Sequence, residues 1–187
     1  MTDDLLTTKI ARGFDHLDAD GDGRLTEQDH ILMGRRAARA LGHEEGSAAE
    51  SVIVDAYVGI WRDVHQPSVG GADAITRADF ITAVRSLADD PDAAAATLGR
   101  LAETFFEIAD TDGNGTLDPD EFHAFQSSHF PALDRARCEE AFAHLDRDGN
   151  GTISREEFTA ANLEYWTSSD PEAPGNWWTG AHPLPGR

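Results

Sequence analysis

The chain has 187 residues, enough for one compact unit or two small lobes that each bury a substantial core. Its 35 acidic against 15 basic residues give a formal net charge of −20, which disfavours nucleic acid and anionic membrane surfaces as partners and favours cations. No apolar run approaches a transmembrane length, the start Met-Thr-Asp-Asp-Leu-Leu lacks the layout of a secretory signal, and Thr2 stands where myristoylation needs glycine, so a cytoplasmic monomer off the membrane is expected.

From the N-terminus, Leu6, Ile10, Phe14 and Leu17 recur at helical spacing and lead into a twelve-residue loop, Asp18 to Asp29. Asp18, Asp20, Asp22 and Asp29 occupy its first, third, fifth and twelfth positions, Gly23 the sixth and Leu25 the eighth. A hard dication needs six to eight oxygens at about 2.3–2.6 Å, and a short loop must wind around it to supply them. The glycine takes the sharp turn that a β-carbon resists, and the seventh residue, Arg24, offers only its backbone carbonyl, so its identity is free. The pattern returns as Asp110, Asp112, Asn114, Gly115, Thr116, Leu117 and Glu121, and again as Asp146, Asp148, Asn150, Gly151, Thr152, Ile153 and Glu157. Ninth-position Thr26, Asp118 and Ser154 suit a water-mediated contact or a helix cap, each with a carboxylate three residues on, as in a capping box.

Asp-Gly and Asn-Gly pairs also make plain turns. Turns alone do not impose the framing seen here: Phe14, Phe106 and Phe142 each precede a loop by four residues, and Phe122 and Phe158 directly follow the twelfth position of the later two. The three stretches read as calcium-binding EF-hand loops. Asp29 replaces the glutamate expected at the twelfth position; one methylene shorter, it binds with one oxygen more readily than two, so the first site is expected to be smaller and more tolerant of magnesium.

Between the first and second of these loops, Gly42 to Gly46 divides one helix from the next, whose stripe is Ile53, Tyr57, Ile60, Trp61 and Val64. A damaged fourth copy follows, found by setting Ile75 at the eighth position and Asp79 at the twelfth, before Phe80. Ser68 then opens it, Gly70 and Ala72 offer no side-chain oxygen, and Asp73 replaces the turn glycine, so it is expected to hold no calcium. An ordinary helix–loop–helix without ancestral meaning is the plainer alternative. As scaffold it would pair with the first loop through a short β-bridge, Leu25 meeting Ile75, while Leu117 meets Ile153. Residues 88 to 92 mark a break between halves, and Leu98, Leu101, Phe105 and Ile108 form the next helical stripe. The expected fold is all-α, with a hand pair over 1–90, a second over 91–166 and an aromatic, proline-rich tail over 167–187.

Cys138, the single cysteine, reads as a packing residue beside Phe142. The eight histidines are scattered and include no His-x-x-x-His pair, and neither a nucleophile elbow nor a phosphate-cradling glycine loop is present, so no enzyme is expected. Eleven of the acids stand at the first, third, fifth, ninth or twelfth positions of these loops, and three calcium ions would bring −20 to −14. Apart from Met1 the only methionine is Met33, too few for the adaptable methionine-rich groove of a calmodulin-type sensor. Buffering is therefore preferred over a calcium-responsive regulator with a dedicated protein partner of unknown identity.

Nearly the whole chain resembles the sarcoplasmic calcium-binding proteins and their bacterial relative calerythrin. The resemblance rests on the order of active, degenerate, active and active loops, on the unequal loop starts at 18, 68, 110 and 146, and on the ending from Leu163 through Tyr165, Trp166 and Pro171 to Trp177 and Trp178. It implies two hand pairs packed into one compact fold, and calcium buffering or transport rather than catalysis. The tail, with Trp166, Trp177 and Trp178 near Pro171, Pro174, Pro183 and Pro185, reads as a non-helical cap sealing the interior. It is also similar to the ending of the coelenterazine-binding photoproteins, which share an inactive second hand and imply a buried apolar ligand. Their luminescent chemistry uses a histidine on the final helix, and Ala160 to Trp166 contain none.

Overall fold

The computed structural model describes residues 4–131 and 133–180. Helices α1 (Leu5–Leu17) and α2 (Glu27–Ala40) flank the first loop; α3 (Ala48–Ile60) runs through a π-helical turn, Trp61–His65, into the short α4 (Gln66–Ser68). After the degenerate loop come α5 (Arg77–Ala88) and α6 (Pro91–Ala94), which continues through a second π-helical turn, Ala95–Gly99, into α7 (Arg100–Ala109). The later loops join α7 to α8 (Pro119–His129) and α9 (Arg135–Leu145) to α10 (Arg155–Thr167).

Helix starts follow local chemistry. Asp4 Oδ1 accepts the amide of Thr7 at 2.8 Å to cap α1, and Asp90 accepts Ala93 at 3.0 Å to start α6 within the expected break. The extended residues of each loop form strands β1 (Arg24–Leu25), β2 (Ile75–Thr76), β3 (Thr116–Leu117) and β4 (Ile153–Ser154). Strand β1 pairs antiparallel with β2, Leu25 opposite Ile75, and β3 with β4, Leu117 opposite Ile153. All four of these residues are essentially excluded from solvent, as the scaffold role of the second loop requires.

The aromatic stripes meet in one core. Phe14 of α1 packs on Phe80 of α5 with ring centres 5.6 Å apart, and Phe80 meets Trp166 of α10 at 6.0 Å, joining the first hands to the last. Helix α2 lies so close to α3 that a β-carbon on Gly34 would come within 2.8 Å of the Val54 backbone. Tyr57 of α3 and Phe105 of α7 add a further contact between halves. Cys138 is buried and its thiol is pushed up to about 11 by burial, in keeping with a packing role. Among the described residues no helix is long and apolar enough to cross a membrane.

The tail does fold over the interior, but it contains a 3-10 turn, Pro174–Trp177, where the sequence suggested no helix. A buried lysine organises it. Lys9 Nζ donates to the Glu164 carbonyl at 3.0 Å and to Asn176 Oδ1 at 2.9 Å, while Tyr165 donates to the Lys9 carbonyl at 3.0 Å. Asn176 Nδ2 in turn binds the carbonyls of Asp170 and Pro171, and Trp177 stacks on His144 at 4.1 Å. Pro183 and Pro185, assigned to this cap from sequence, lie outside the described residues.

Candidate functional site: three acidic loops and an interior cavity

Each active-type loop is wound around its first carboxylate by the backbone. Asp18 accepts the amides of Gly21, Asp22 and Gly23; Asp110 accepts those of Asn114 and Gly115, and Asp146 those of Asn150 and Gly151. Third- and fifth-position side chains are held likewise, Asp20 by the Asp22 amide and Asp22 by that of Arg24, with Asp112, Asn114, Asp148 and Asn150 repeating the arrangement. The winding needs glycine twice per loop: Gly115 at the sixth position has φ +85° and Gly113 at the fourth +71°. The fourth-position glycine was not singled out from sequence, although Gly21, Gly113 and Gly149 repeat in phase.

The twelfth-position carboxylate is anchored from both sides. In the last loop, Glu157 accepts the Arg147 amide at 2.8 Å on one oxygen and the Ser154 amide at 2.8 Å on the other. Burial pushes this carboxyl up, but the Ser154 amide and hydroxyl and the amides of Arg147 and Asp148 outweigh it and hold it below the usual glutamate range, charged and aimed at the loop. Glu121 uses the Thr111 and Asp118 amides, and Asp29 those of Ala19 and Thr26.

Carboxylate oxygens within 4.8 Å of one another gather Asp110, Asp112 and Glu121 in one loop, and Asp146, Asp148 and Glu157 in another. In the first loop they gather Asp18, Asp20 and Asp22 without Asp29. The short Asp29 side chain, 1 % exposed, spends both oxygens on its own loop's amides and stays back from the other three. Asn114 and Asn150 join the later clusters through hydrogen bonds to Asp112 and Asp148; Arg24 and Thr116 lie in β1 and β3, Thr152 directly precedes β4, and the hydroxyls of Thr116 and Thr152 donate to Oδ1 of Asn114 and Asn150. Such all-oxygen donor sets match a hard dication. The degenerate loop gathers no cluster: Thr76 caps α5 by accepting the Asp79 amide, and its hydroxyl occupies the Asp79 carboxylate at 2.7 Å.

The chain matches family models for an EF-hand domain pair over residues 72–126 and 100–162. It is 31 % identical over 122 residues to the sarcoplasmic calcium-binding protein of Perinereis vancaurica tetradentata, covering 65 % of this chain and 68 % of that one. The chain belongs to the sarcoplasmic calcium-binding protein family. Calerythrin of Saccharopolyspora erythraea is 26 % identical over 145 residues, covering 76 % and 81 % of the two chains. Like these relatives, this family member is a calcium-binding EF-hand protein. In fold it is similar to the coelenterazine-binding protein of Renilla muelleri in its calcium-loaded apo form, with TM-score 0.74, 22 % identity and 94 % of each chain covered.

This family member encloses an interior cavity of about 530 Å³, walled by both halves and closed on one side by Trp178 and Thr179 of the tail; the photoprotein resemblance implied a buried ligand, but the residues that line the space were not named from sequence. Four histidines line it: His16, His30, His65 and His129. His30 Nδ1 lies 2.8 Å from the Thr26 carbonyl, so it carries the proton, and Nε2 accepts from His65 Nδ1 at 2.8 Å. His129 Nδ1 likewise faces the Phe125 carbonyl at 3.1 Å, leaving Nε2 to accept the Tyr57 hydroxyl at 2.8 Å. Burial brings His30 and His129 down to about 4 and His65 well below the usual imidazole value, so all three are neutral near pH 7. A search for metal spacings passes over them. The available signal was phase: His30 with Met33, His65 with Trp61 and His129 with Phe125 share apolar helix faces.

Proposed function

We propose that this protein is a cytoplasmic, non-catalytic calcium buffer whose three ions are held by Asp18, Asp20, Asp22 and Asp29, by Asp110, Asp112, Asn114 and Glu121, and by Asp146, Asp148, Asn150 and Glu157, with backbone carbonyls of Arg24, Thr116 and Thr152. The observation that carries buffering over signalling is the closed apolar surface: among the described residues Val52, 69 % exposed, is the one large hydrophobic side chain left open to solvent. A sensor must present an apolar groove to a partner, whereas here eight of the nine phenylalanines and Met33 are committed to the core. Aspartate at position 29 lowers the coordination available at the first site, and magnesium competes there.

Calorimetric titration with calcium, repeated in saturating magnesium, tests this. Three ions are expected without magnesium and two high-affinity ions with it; fewer than three ions in the magnesium-free titration overturns the assignment. Capture of a protein partner by the calcium-loaded but not the calcium-free form turns the reading to a regulator.

A second reading, carriage of a small apolar molecule, is favoured by the interior cavity and by the likeness in fold to a coelenterazine-binding protein. The cavity lies in the range of about 300–1,000 Å³ that small-molecule sites occupy.

A further inference from the structure

We propose that the cavity selects a neutral, planar heteroaromatic molecule that gives one hydrogen bond to Gln126 and accepts one from Trp166. This rests on the carriage reading and specifies its ligand. Gln126 is fully buried, and its Nε2 donates to the Trp178 carbonyl at 2.8 Å, which fixes the amide orientation and leaves Oε1 as an acceptor without a protein partner. Trp166 is 8 % exposed, and its Nε1, a donor only, also has none. The half-buried His16 adds a third such atom, Nε2.

Buried polar atoms are satisfied as a rule, and these three belong to side chains that line one cavity. Most of the remaining polar wall is self-satisfied, since His65 donates to His30 and Tyr57 to His129; Thr179 Oγ1 and the bare Nε2 of His65 are the further groups a ligand can meet there. Phe80, Phe105 and Trp178 supply further aromatic surface, which suits a flat partner. Of the charged residues on the lining, Asp63 and Arg100 are both solvent-exposed and lie at its rim, leaving no counter-ion inside for a charged ligand.

The test is fluorescence titration of the calcium-loaded full chain with two probes: lumichrome, a neutral tricycle bearing N–H donors and carbonyl acceptors, and acenaphthene, an aromatic hydrocarbon with neither. Expected is one-to-one binding of lumichrome with Kd below about 10 μM. Gln126→Leu and Trp166→Phe should each weaken lumichrome about tenfold, while acenaphthene affinity and calcium stoichiometry, measured on the same variants, stay unchanged and show that they fold. Acenaphthene binding without lumichrome binding, or lumichrome indifferent to both substitutions, overturns the selection and leaves carriage standing. Saturable binding of neither probe overturns both, and calcium buffering is untouched by either result.

Discussion

Aspartate at position 29 concentrates the chemistry that distinguishes one loop from the other two. Its carboxylate is held by the Ala19 and Thr26 amides and stands apart from the Asp18, Asp20 and Asp22 cluster. Asp29→Glu adds the missing methylene, and calcium affinity at the first site is expected to rise on the order of tenfold relative to magnesium, read by calorimetric titration of the two ions in competition. At Gly13 the issue is space. A β-carbon there would come within 2.2 Å of the Trp166 ring, so Gly13→Ala is expected to cost about 1–3 kcal/mol by overpacking, read as a lowered unfolding midpoint in urea. The acidic clusters were legible in the sequence because their chemistry is local: twelve residues carry the whole pattern, and Leu25, Ile75, Leu117 and Ile153 fell into the expected register. The histidines were not, because their neighbours come from segments far apart in the chain, as His30 and His65 do.

At the level of elements, α1, α10 and the tail turn are fastened by Lys9, whose burial inside the cap no helical stripe announces. Burial lowers its pKa from 10.5 to about 8, against the attraction of Glu164 and Asp170. Between those two values the unfolded chain holds the proton and the native one does not, so stability rises with pH across that window, by at most ~3 kcal/mol. The difference in unfolding free energy between the native chain and Lys9→Met is therefore expected to move in the native chain's favour from pH 8 to 10.5, as denaturant titrations would show. A fixed difference across that range would place the ammonium in a solvated setting. The helices themselves were readable from their stripes and caps. The π-helical turns at Trp61–His65 and Ala95–Gly99 were not, since an extra residue in a turn is a packing adjustment without a local sequence signature.

For the whole molecule, two charge effects bear on stability. With calcium absent, loop carboxylates face one another across a few ångströms in a chain of net charge −20, so chelation is expected to lower the melting temperature and added salt to recover part of it. Acid acts through the interior instead. His129, near 4 when folded and 6.5 when free, is protonated in the unfolded chain first, so metal-free protein is expected to lose stability as pH falls from 6.5 toward 4. His129→Gln should flatten that decline in thermal melts, and an unchanged slope would assign it to other groups.

The two ladders joining the hands are alike in geometry and unlike in what stands behind them. Leu117 and Ile153 each belong to a loop that gathers three carboxylates, so ordering one by an ion would prepare the other, and that pair is expected to fill with a Hill slope above one. Leu25 leans on Ile75, whose loop is set without any ion at all. The first site thus inherits a neighbour that is already rigid, and its filling should follow a simple hyperbola, deaf to whatever the other two are doing.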